Sequence, residues 1–401
     1  MKYLTDRSVN RPADDPIFAL NREATKRRAT GEKIINATVG ALLEDDGALA
    51  VLPSVIAAIR GVEPARVAGY APIAGAPDFL SAVVEDLLGG TPLAAQAVAI
   101  ATPGGTGALR HAVNAFLDRG QHLVTPSLYW GPYATICEEH ERGLSTFEMF
   151  GDDGRFNVTA FAAALESTAK HQGRLLVFLN DPCNNPTGYS LSDTEWTEVA
   201  RVVTDAASRV PLVLLCDVAY LAYARDPKGF LKFVAPLANH ALVLFAWSAS
   251  KSFTQYGLRV GALIACTADD AQRSQVQRAL SYASRGTWSN CNAGGQAAIA
   301  RCITEPALRA KVHGERERLT RLLDSRVRAF NRAAQGTKLR YPLYDGGFFV
   351  TVFAADAAAA AATLMARGVF TVPQAGGLRI ALCSVAEADV PALVTALEQS
   401  V

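Results

Sequence analysis

Between about residues 50 and 305, short β-rich runs alternate with longer segments of helical pattern, and this alternation restricts the possible folds more than any other feature of the chain. Candidate strands are AVAIA (97–101), HLVTP (122–126), LLVFLN (175–180), LVLLCD (212–217), ALVLFAWS (241–248) and GALIAC (261–266). Several are apolar on both faces, which suits strands buried between two helical layers rather than half-exposed ones. Thr106 to Leu117, Leu191 to Ser208 and Asp269 to Ala283 read as covering helices. The second opens with Ser192 three residues before Glu195, the spacing of a capping box. The expectation is an α/β fold built on a largely parallel sheet.

After about residue 310 the character changes. A charged helix (Ala310 to Ala334) precedes GGFFVTVF, an alanine-rich helix beginning near Asp356, and GLRIALC, which together read as a separate α+β domain. The first 45 or so residues hold no buried-strand run, and the basic helix that follows PADDPI has either domain or a partner subunit to pack on. A chain of 401 residues exceeds the usual size of one domain. The expected division is a large domain over 46–310 and a smaller one made from both chain ends, 1–45 and 311–401.

Composition narrows the function classes. With 39 basic and 38 acidic side chains, no overall field favours nucleic acid or an anionic membrane. Seven cysteines without a CxxC pair point to reduced, mostly buried thiols, and no metal site is expected. The polar N-terminus MKYLTDRSVNRPADDP lacks the apolar core of a signal peptide, and no apolar run approaches the ~20 residues of a membrane span. A cytoplasmic location is the expectation.

Four segments carry chemistry. ATPGGTGALRHAVNAF follows a candidate strand with a glycine-rich turn and opens a helix, an arrangement that aims backbone N–H groups and the helix dipole at an anion such as phosphate. NDPCNNPTG (180–188) directly follows an apolar strand and contains a turn at Asn185-Pro186-Thr187-Gly188. In LLCDVAYLAY, Asp217 ends an apolar run and so lies at the carboxyl end of a strand, where open α/β sheets hold ligands. A carboxylate there is costly without a partner. WSASKSFTQYGLRVG places Lys251 in a serine-rich turn, with Arg259 eight positions on.

This ordered set, with Lys251 in SxSK, resembles the fold-type I pyridoxal-phosphate enzymes, and among them the class I aspartate and aromatic aminotransferases. The resemblance runs from PADDPI to GLRIALC. It implies a large domain with a mostly parallel seven-stranded sheet flanked by helices, a smaller α+β domain, pyridoxal 5′-phosphate as cofactor and a homodimer with shared active sites. By the same resemblance, Lys251 would form the Schiff base and shuttle a proton, and Asp217 would pair with the protonated pyridine nitrogen. Asn185 and Tyr220 would hydrogen-bond the phenolic oxygen, and Trp130 would stack on the ring, with Tyr129 as the competing candidate. Gly105, Thr106, Gly107, Ser248, Ser250 and Arg259 would grip the phosphate, joined by Tyr70 from the neighbouring subunit. The chemistry agrees: the ring accepts electrons only while its nitrogen stays protonated, which a buried carboxylate enforces. A free lysine near pKa 10.4 becomes an effective base near neutrality only after about 5 kcal/mol of differential stabilisation.

The resemblance also implies the substrate contacts. Arg379 in GLRIALC would bind the α-carboxylate with help from Asn185, since the planar guanidinium pairs with a carboxylate through two parallel hydrogen bonds. Arg285 in SRGTWSN would cross the dimer interface to a distal carboxylate. Ile17 and Gly40 would line the substrate entrance and its lid. The implied reaction is ping-pong amino transfer between an L-amino acid, either aspartate/glutamate or aromatic, and a 2-oxo acid such as 2-oxoglutarate. Alternatives are a lyase or decarboxylase using the same cofactor, or a non-catalytic binding protein of the same fold. The sequence departs from the family pattern at Cys291, Asn292 and Gly294, which replace Pro-Pro and His, and at Asn184, which replaces a common His; a changed pocket edge is the expectation there.

Overall fold

The computed structural model describes residues 3–9, 11–12 and 15–401, so part of the PADDPI stretch lies outside the described residues. Seven strands form the central sheet in the spatial order Ala97–Pro103, Val260–Cys266, Leu242–Ser248, Leu212–Asp217, Leu175–Leu179, His122–Pro126 and Gly143–Phe147. Only Val260–Cys266 runs antiparallel to its neighbours; the other pairings are parallel. The mostly parallel α/β architecture read from the sequence is therefore the observed one. Each of the six candidate strands is present with its ends moved by at most two residues.

Alternation along these strands builds two cores. Ala99, Val177, Leu214, Phe245 and Ile264 face one of them, and Ile100, Leu176, Leu215, Leu244 and Leu263 face the other. Side chains of successive strand residues point to opposite faces, so runs that are apolar throughout satisfy both helical layers at once. The helix Asp193–Ala207 carries the expected capping box, with Ser192 and Glu195 reciprocally bonded to backbone N–H groups. Asp269 caps the helix Asp270–Arg285 through the N–H groups of Ala271 and Gln272.

A second, antiparallel sheet has the order Val372–Gln374, Gly377–Ala381, Phe349–Phe353. Near it Ile35–Asn36 pairs in parallel with Val369–Phe370, which joins the start of the chain to its end. The helix Pro16–Ala29, capped by Asp15, packs Ala24 against Ile34 and Phe370, so the basic helix rests on the C-terminal region. The 29-residue helix Pro306–Ala334 begins before residue 310. From it the fully buried Arg326 donates to the carbonyls of Cys383 and Leu43 at 2.6 and 2.8 Å, and to Asp45 Oδ1 at 2.8 Å. Those partners offset much of the cost of a charge inside the protein, while the buried Nε has no hydrogen-bond partner among the described residues. All seven cysteines are unpaired thiols, and among the described residues no helix is long and apolar enough to cross a membrane.

Candidate active site

Because six strands run one way and one runs the other, the carboxyl ends of the six and the start of Val260–Cys266 share one edge of the sheet. The segments leaving that edge enclose a cavity of about 150 Å³. Gly105, Thr106, Trp130, Asn185, Asp217, Tyr220, Ser248, Ser250, Lys251 and Arg259 all line it, together with Leu109, Asn180 and Ala219. Ten sequence-selected residues drawn from five separate segments thus meet in one place.

One end of the cavity is a cationic cradle at a helix start. The helix Gly104–Phe116 begins there, and Gly104 adopts φ +69°. A Cβ on Gly104 would lie 2.5 Å from Arg259 Nη2, and one on Gly261 would lie 2.5 Å from the Gly104 carbonyl carbon. Glycine at both positions lets the two backbone segments and the guanidinium close together. Arg259 Nη1 donates to Ser250 Oγ at 3.2 Å and to the Tyr256 carbonyl at 2.9 Å, which fixes the fork. Ser248 Oγ accepts from the Ser250 N–H at 3.1 Å. Gly107 lies inside the helix rather than on the cavity wall: a Cβ there would meet Pro103 Cδ at 2.5 Å. Its role is helix-to-strand packing.

The same cavity also holds a carboxylate and an amine. Asp217 is 5 % exposed, and burial pushes its pKa up, against the pull of the Tyr133 hydroxyl, the Ala219 N–H and Lys251. Lys251 Nζ sits 5.4 Å from the centre of the Tyr220 ring. Burial lowers its pKa; Asp217 opposes that shift and the Arg259 cation adds to it. Asn185 Nδ2 donates to the Tyr220 hydroxyl at 3.2 Å. Burial holds that phenol above its ordinary range, with Asn185 pulling the other way.

A second cavity of about 360 Å³ adjoins the first through Trp130 and Asn185, and Ile17, Tyr129, Gln374 and Arg379 line it. Trp130 borders both spaces, whereas Tyr129 borders only the outer one. Arg379 is buried, donates from Nη2 to the Thr38 carbonyl at 2.7 Å, and has its guanidinium carbon 4.7 Å over the Phe349 ring. Its Nε is buried without a hydrogen-bond partner among the described residues. Gly40 touches that assembly from behind: a Cβ on it would lie 2.5 Å from Phe349 Cζ.

Besides Gly107 and Gly40, which pack behind the cavities, two selected residues lie at the surface of this chain and line neither cavity. Tyr70 is 92 % exposed, and Arg285 is exposed with Nη1 donating to Ser289 Oγ at 2.6 Å. The departures from the family pattern have local explanations. Asn292 caps the helix Ala293–Thr304 through the Gly295 N–H and donates to the Leu258 carbonyl. Gly294 lies against Val67, and a Cβ on Gly295 would meet Val260 Cγ2 at 2.6 Å. Asn184 Oδ1 accepts from both the N–H and the hydroxyl of Thr187, bracing the NPTG turn. Neither Asn184 nor the Cys291–Gly294 stretch lines either cavity. Sequence reading missed Tyr133, Asn180 and Phe349. Tyr133 stands three positions after Trp130 in YWGPY and Asn180 opens NDPCNNPTG, whereas Phe349 carried no signal of its place beside Arg379.

This sheet, with a lysine and an aspartate lining one cavity at its carboxyl edge beside an arginine-lined pocket, defines a fold-type I enzyme. The chain belongs to the aminotransferase class I and II family, whose model matches residues 32–397. It is a pyridoxal-phosphate-dependent aminotransferase. It is 30% identical to an aromatic-amino-acid aminotransferase of Pseudomonas aeruginosa over 330 residues, covering 78% of this chain and 79% of that one. It is 29% identical to an aspartate aminotransferase of the same organism, over 81% of this chain and 82% of the relative. Among solved structures, an aminotransferase from Anaerococcus prevotii superposes with a TM-score of 0.95 at 35% identity, over 100% of this chain and 99% of the other. An aromatic-amino-acid aminotransferase from Burkholderia pseudomallei, covalently bound to pyridoxal phosphate, shares the fold at a TM-score of 0.79 and 24% identity, over 99% of this chain and all of that one.

The residues present fit that cofactor. The cradle would supply backbone N–H groups, hydroxyls and a guanidinium for a phosphate, Asp217 would supply an anion for a ring N–H, and Lys251 would supply the amine.

Proposed function

We propose that the chain transfers the amino group of an L-amino acid to a 2-oxo acid such as 2-oxoglutarate by a ping-pong mechanism, with aspartate, glutamate or an aromatic amino acid as donor. The observation that carries this reading is the juxtaposition of Lys251 and Asp217 in one cavity with Arg379 in the next. When bound, the cofactor would supply an electron sink for the substrate Cα. Lys251 would hold the cofactor, and its amine would move the Cα proton, a role that its lowered pKa serves. Asp217 keeps the ring nitrogen protonated, while Asn185 and Tyr220 bond the phenolic oxygen. Trp130 covers the ring. Gly105, Thr106, Ser248, Ser250 and Arg259 hold the phosphate, and Gly107 lets the helix close on its strand.

Arg379 and Asn185 orient the α-carboxylate, and Ile17 and Tyr129 border the substrate side chain. Gly40 makes room for the ring beneath Arg379. The reading includes a homodimer in which Tyr70 and Arg285 serve the neighbouring subunit, reaching its phosphate and the distal carboxylate of its substrate. Exposed Val67, Tyr70 and Tyr282 support it, for Val67 touches Gly294 and Tyr282 lies one turn before Arg285. Residues 46–310 form the large domain and 1–45 with 311–401 the small one, a division whose second boundary falls inside the helix Pro306–Ala334.

The test is a spectroscopic half-reaction panel with aspartate, glutamate, phenylalanine, tyrosine and alanine, run on wild type and Lys251→Ala. Wild type should lose its cofactor absorbance band fastest with a dicarboxylic or aromatic donor, and the variant should lack both the band and the reaction. A band unchanged in Lys251→Ala would overturn the cofactor assignment.

A further inference from the structure

Asp217 is held by more than its place at a strand end. Its Oδ2 accepts the hydroxyl of Tyr133 at 2.8 Å, and its Oδ1 accepts the Ala219 N–H at 3.2 Å. Its carbonyl accepts Asn180 Nδ2 at 2.7 Å, and Asn180 Oδ1 in turn accepts the Asn185 N–H at 2.6 Å. Of these contacts only the Tyr133 hydroxyl is a side-chain donor to the carboxylate itself.

Tyr133 is placed for that one bond. It lies in the first turn of the helix Pro132–Glu139 and is 1 % exposed. Its ring packs edge-on to Phe178 at 5.2 Å and to Trp130 at 5.9 Å, with the latter pair at 90°. Phe178 belongs to the strand Leu175–Leu179, and Trp130 borders both cavities. A ring clamped on two sides delivers its hydroxyl to a fixed point and costs little further ordering.

We propose that Tyr133 is a positioning residue that fixes the Asp217 carboxylate against the cofactor ring and ties its placement to that of Trp130. The proposal rests on the reading of the inner cavity as the cofactor site. Burial works against the charged form of Asp217, and the hydrogen bond donated by Tyr133 both favours that form and aims the carboxylate. The other groups acting on it are Lys251 from the turn Ala249–Ser252, Tyr220 three residues further along the chain, and the neighbouring Cys216, whose thiol burial keeps protonated. Among the described residues none of these donates a hydrogen bond to the carboxylate oxygens, whereas Tyr133 does.

The experiment uses Tyr133→Phe, which keeps the ring and removes the hydroxyl. Pyridoxal phosphate affinity is measured by reconstituting the cofactor-free protein, across pH 5 to 9, with thermal melting of that protein in parallel. A hydrogen bond to a charged group is worth roughly 10- to 100-fold in an equilibrium, so affinity should fall by about that factor. The acid side of the affinity profile should shift to higher pH, because the variant's carboxylate protonates more readily. In an Asp217→Asn background the hydroxyl should matter little, which makes the two changes non-additive. Tyr133→3-fluorotyrosine keeps the ring and makes the hydroxyl a stronger donor, so it should move the acid side of the profile to lower pH; an unmoved profile would overturn the proposal even if Tyr133→Phe proves unstable. Wild-type affinity and an unshifted profile in Tyr133→Phe would overturn the proposal, as would an undiminished effect in the Asp217→Asn background. Failure of the wild-type protein to take up any cofactor would instead overturn the reading of the cavity.

Discussion

Replacing Gly40 with alanine tests how rigidly Arg379 is held. The new Cβ would stand 2.5 Å from Phe349 Cζ and 3.2 Å from Cε1. Carbon atoms in ordinary contact keep about 3.5 to 4.0 Å, so one side must withdraw by roughly 1 Å. Phe349 has little room to do so: it is 1 % exposed, packs edge-on against Tyr220 at 5.6 Å and lies 4.7 Å beneath the Arg379 guanidinium. Overpacking of this kind costs about 1–3 kcal/mol, and a displacement of about 1 Å at a positioning group lowers turnover by roughly 100-fold. The backbone should tolerate alanine, since Gly40 is not among the glycines with positive φ. The assay is the dissociation constant of a non-reacting dicarboxylate, measured beside pyridoxal phosphate affinity and melting temperature. Carboxylate binding should weaken by about 10- to 100-fold while cofactor affinity holds. Adding Phe349→Leu should relieve the clash, so that Gly40→Ala costs less on that background. Unchanged carboxylate binding and unchanged melting in Gly40→Ala would refute the idea that Phe349 is wedged between residue 40 and Arg379.

Arg285→Leu should lower kcat/KM for aspartate by roughly 30- to 5000-fold, as expected for losing a charged bidentate contact, and should affect alanine little; equal losses for both donors would count against a distal-carboxylate role. Asp181 offers a pH prediction. Its carboxyl is 1 % exposed and bonded to the Leu191 N–H and Trp196 Nε1, and burial lifts its pKa to about 7. The folded value exceeds the unfolded one of about 3.9, so protonation favours the fold. That stabilisation is complete below about pH 4 and erodes by about 1.4 kcal/mol per unit as pH rises toward 7. Denaturant melts of wild type and Asp181→Asn at pH 5, 6, 7 and 8 should therefore show the flatter dependence in the variant, and parallel curves would contradict it.

The sheet was legible where burial left a mark on composition. Leu212–Asp217 and Leu242–Ser248 are apolar on both faces until a polar residue marks their carboxyl ends, and those ends are where the cavity lies. The strand Gly143–Phe147 escaped notice because it sits at the sheet edge, half-exposed and carrying Ser145 and Thr146. Residues such as Lys251 and Asp217 could be found from their motifs. Tyr133 could not be matched to Asp217, 84 positions away, because only the packing of a helix onto the sheet brings them together. Phe349 and Arg379 were separated in the same way. They lie on neighbouring antiparallel strands, where Arg379 stands opposite Thr351, and the chain between them gives no hint of that register. Tyr70 and Arg285 are exposed within the single chain, and a second subunit is what would give them partners.

The reversed direction of Val260–Cys266 has one further effect. Had the chain crossed over to another parallel strand, a helix-length connection would have intervened, and Lys251 and Arg259 would have belonged to different units of structure. Instead the chain leaves one strand at Ser248 and re-enters the sheet at Val260, so both residues stand on a single short return, eight positions apart. That return acts as a caliper. Lys251 would hold the proposed cofactor covalently and Arg259 its phosphate, and the gap between them is set by a dozen residues of local backbone rather than by how distant parts of the protein dock. Movements of the outer region around Arg379 can then leave the spacing between the covalent anchor and the phosphate anchor untouched.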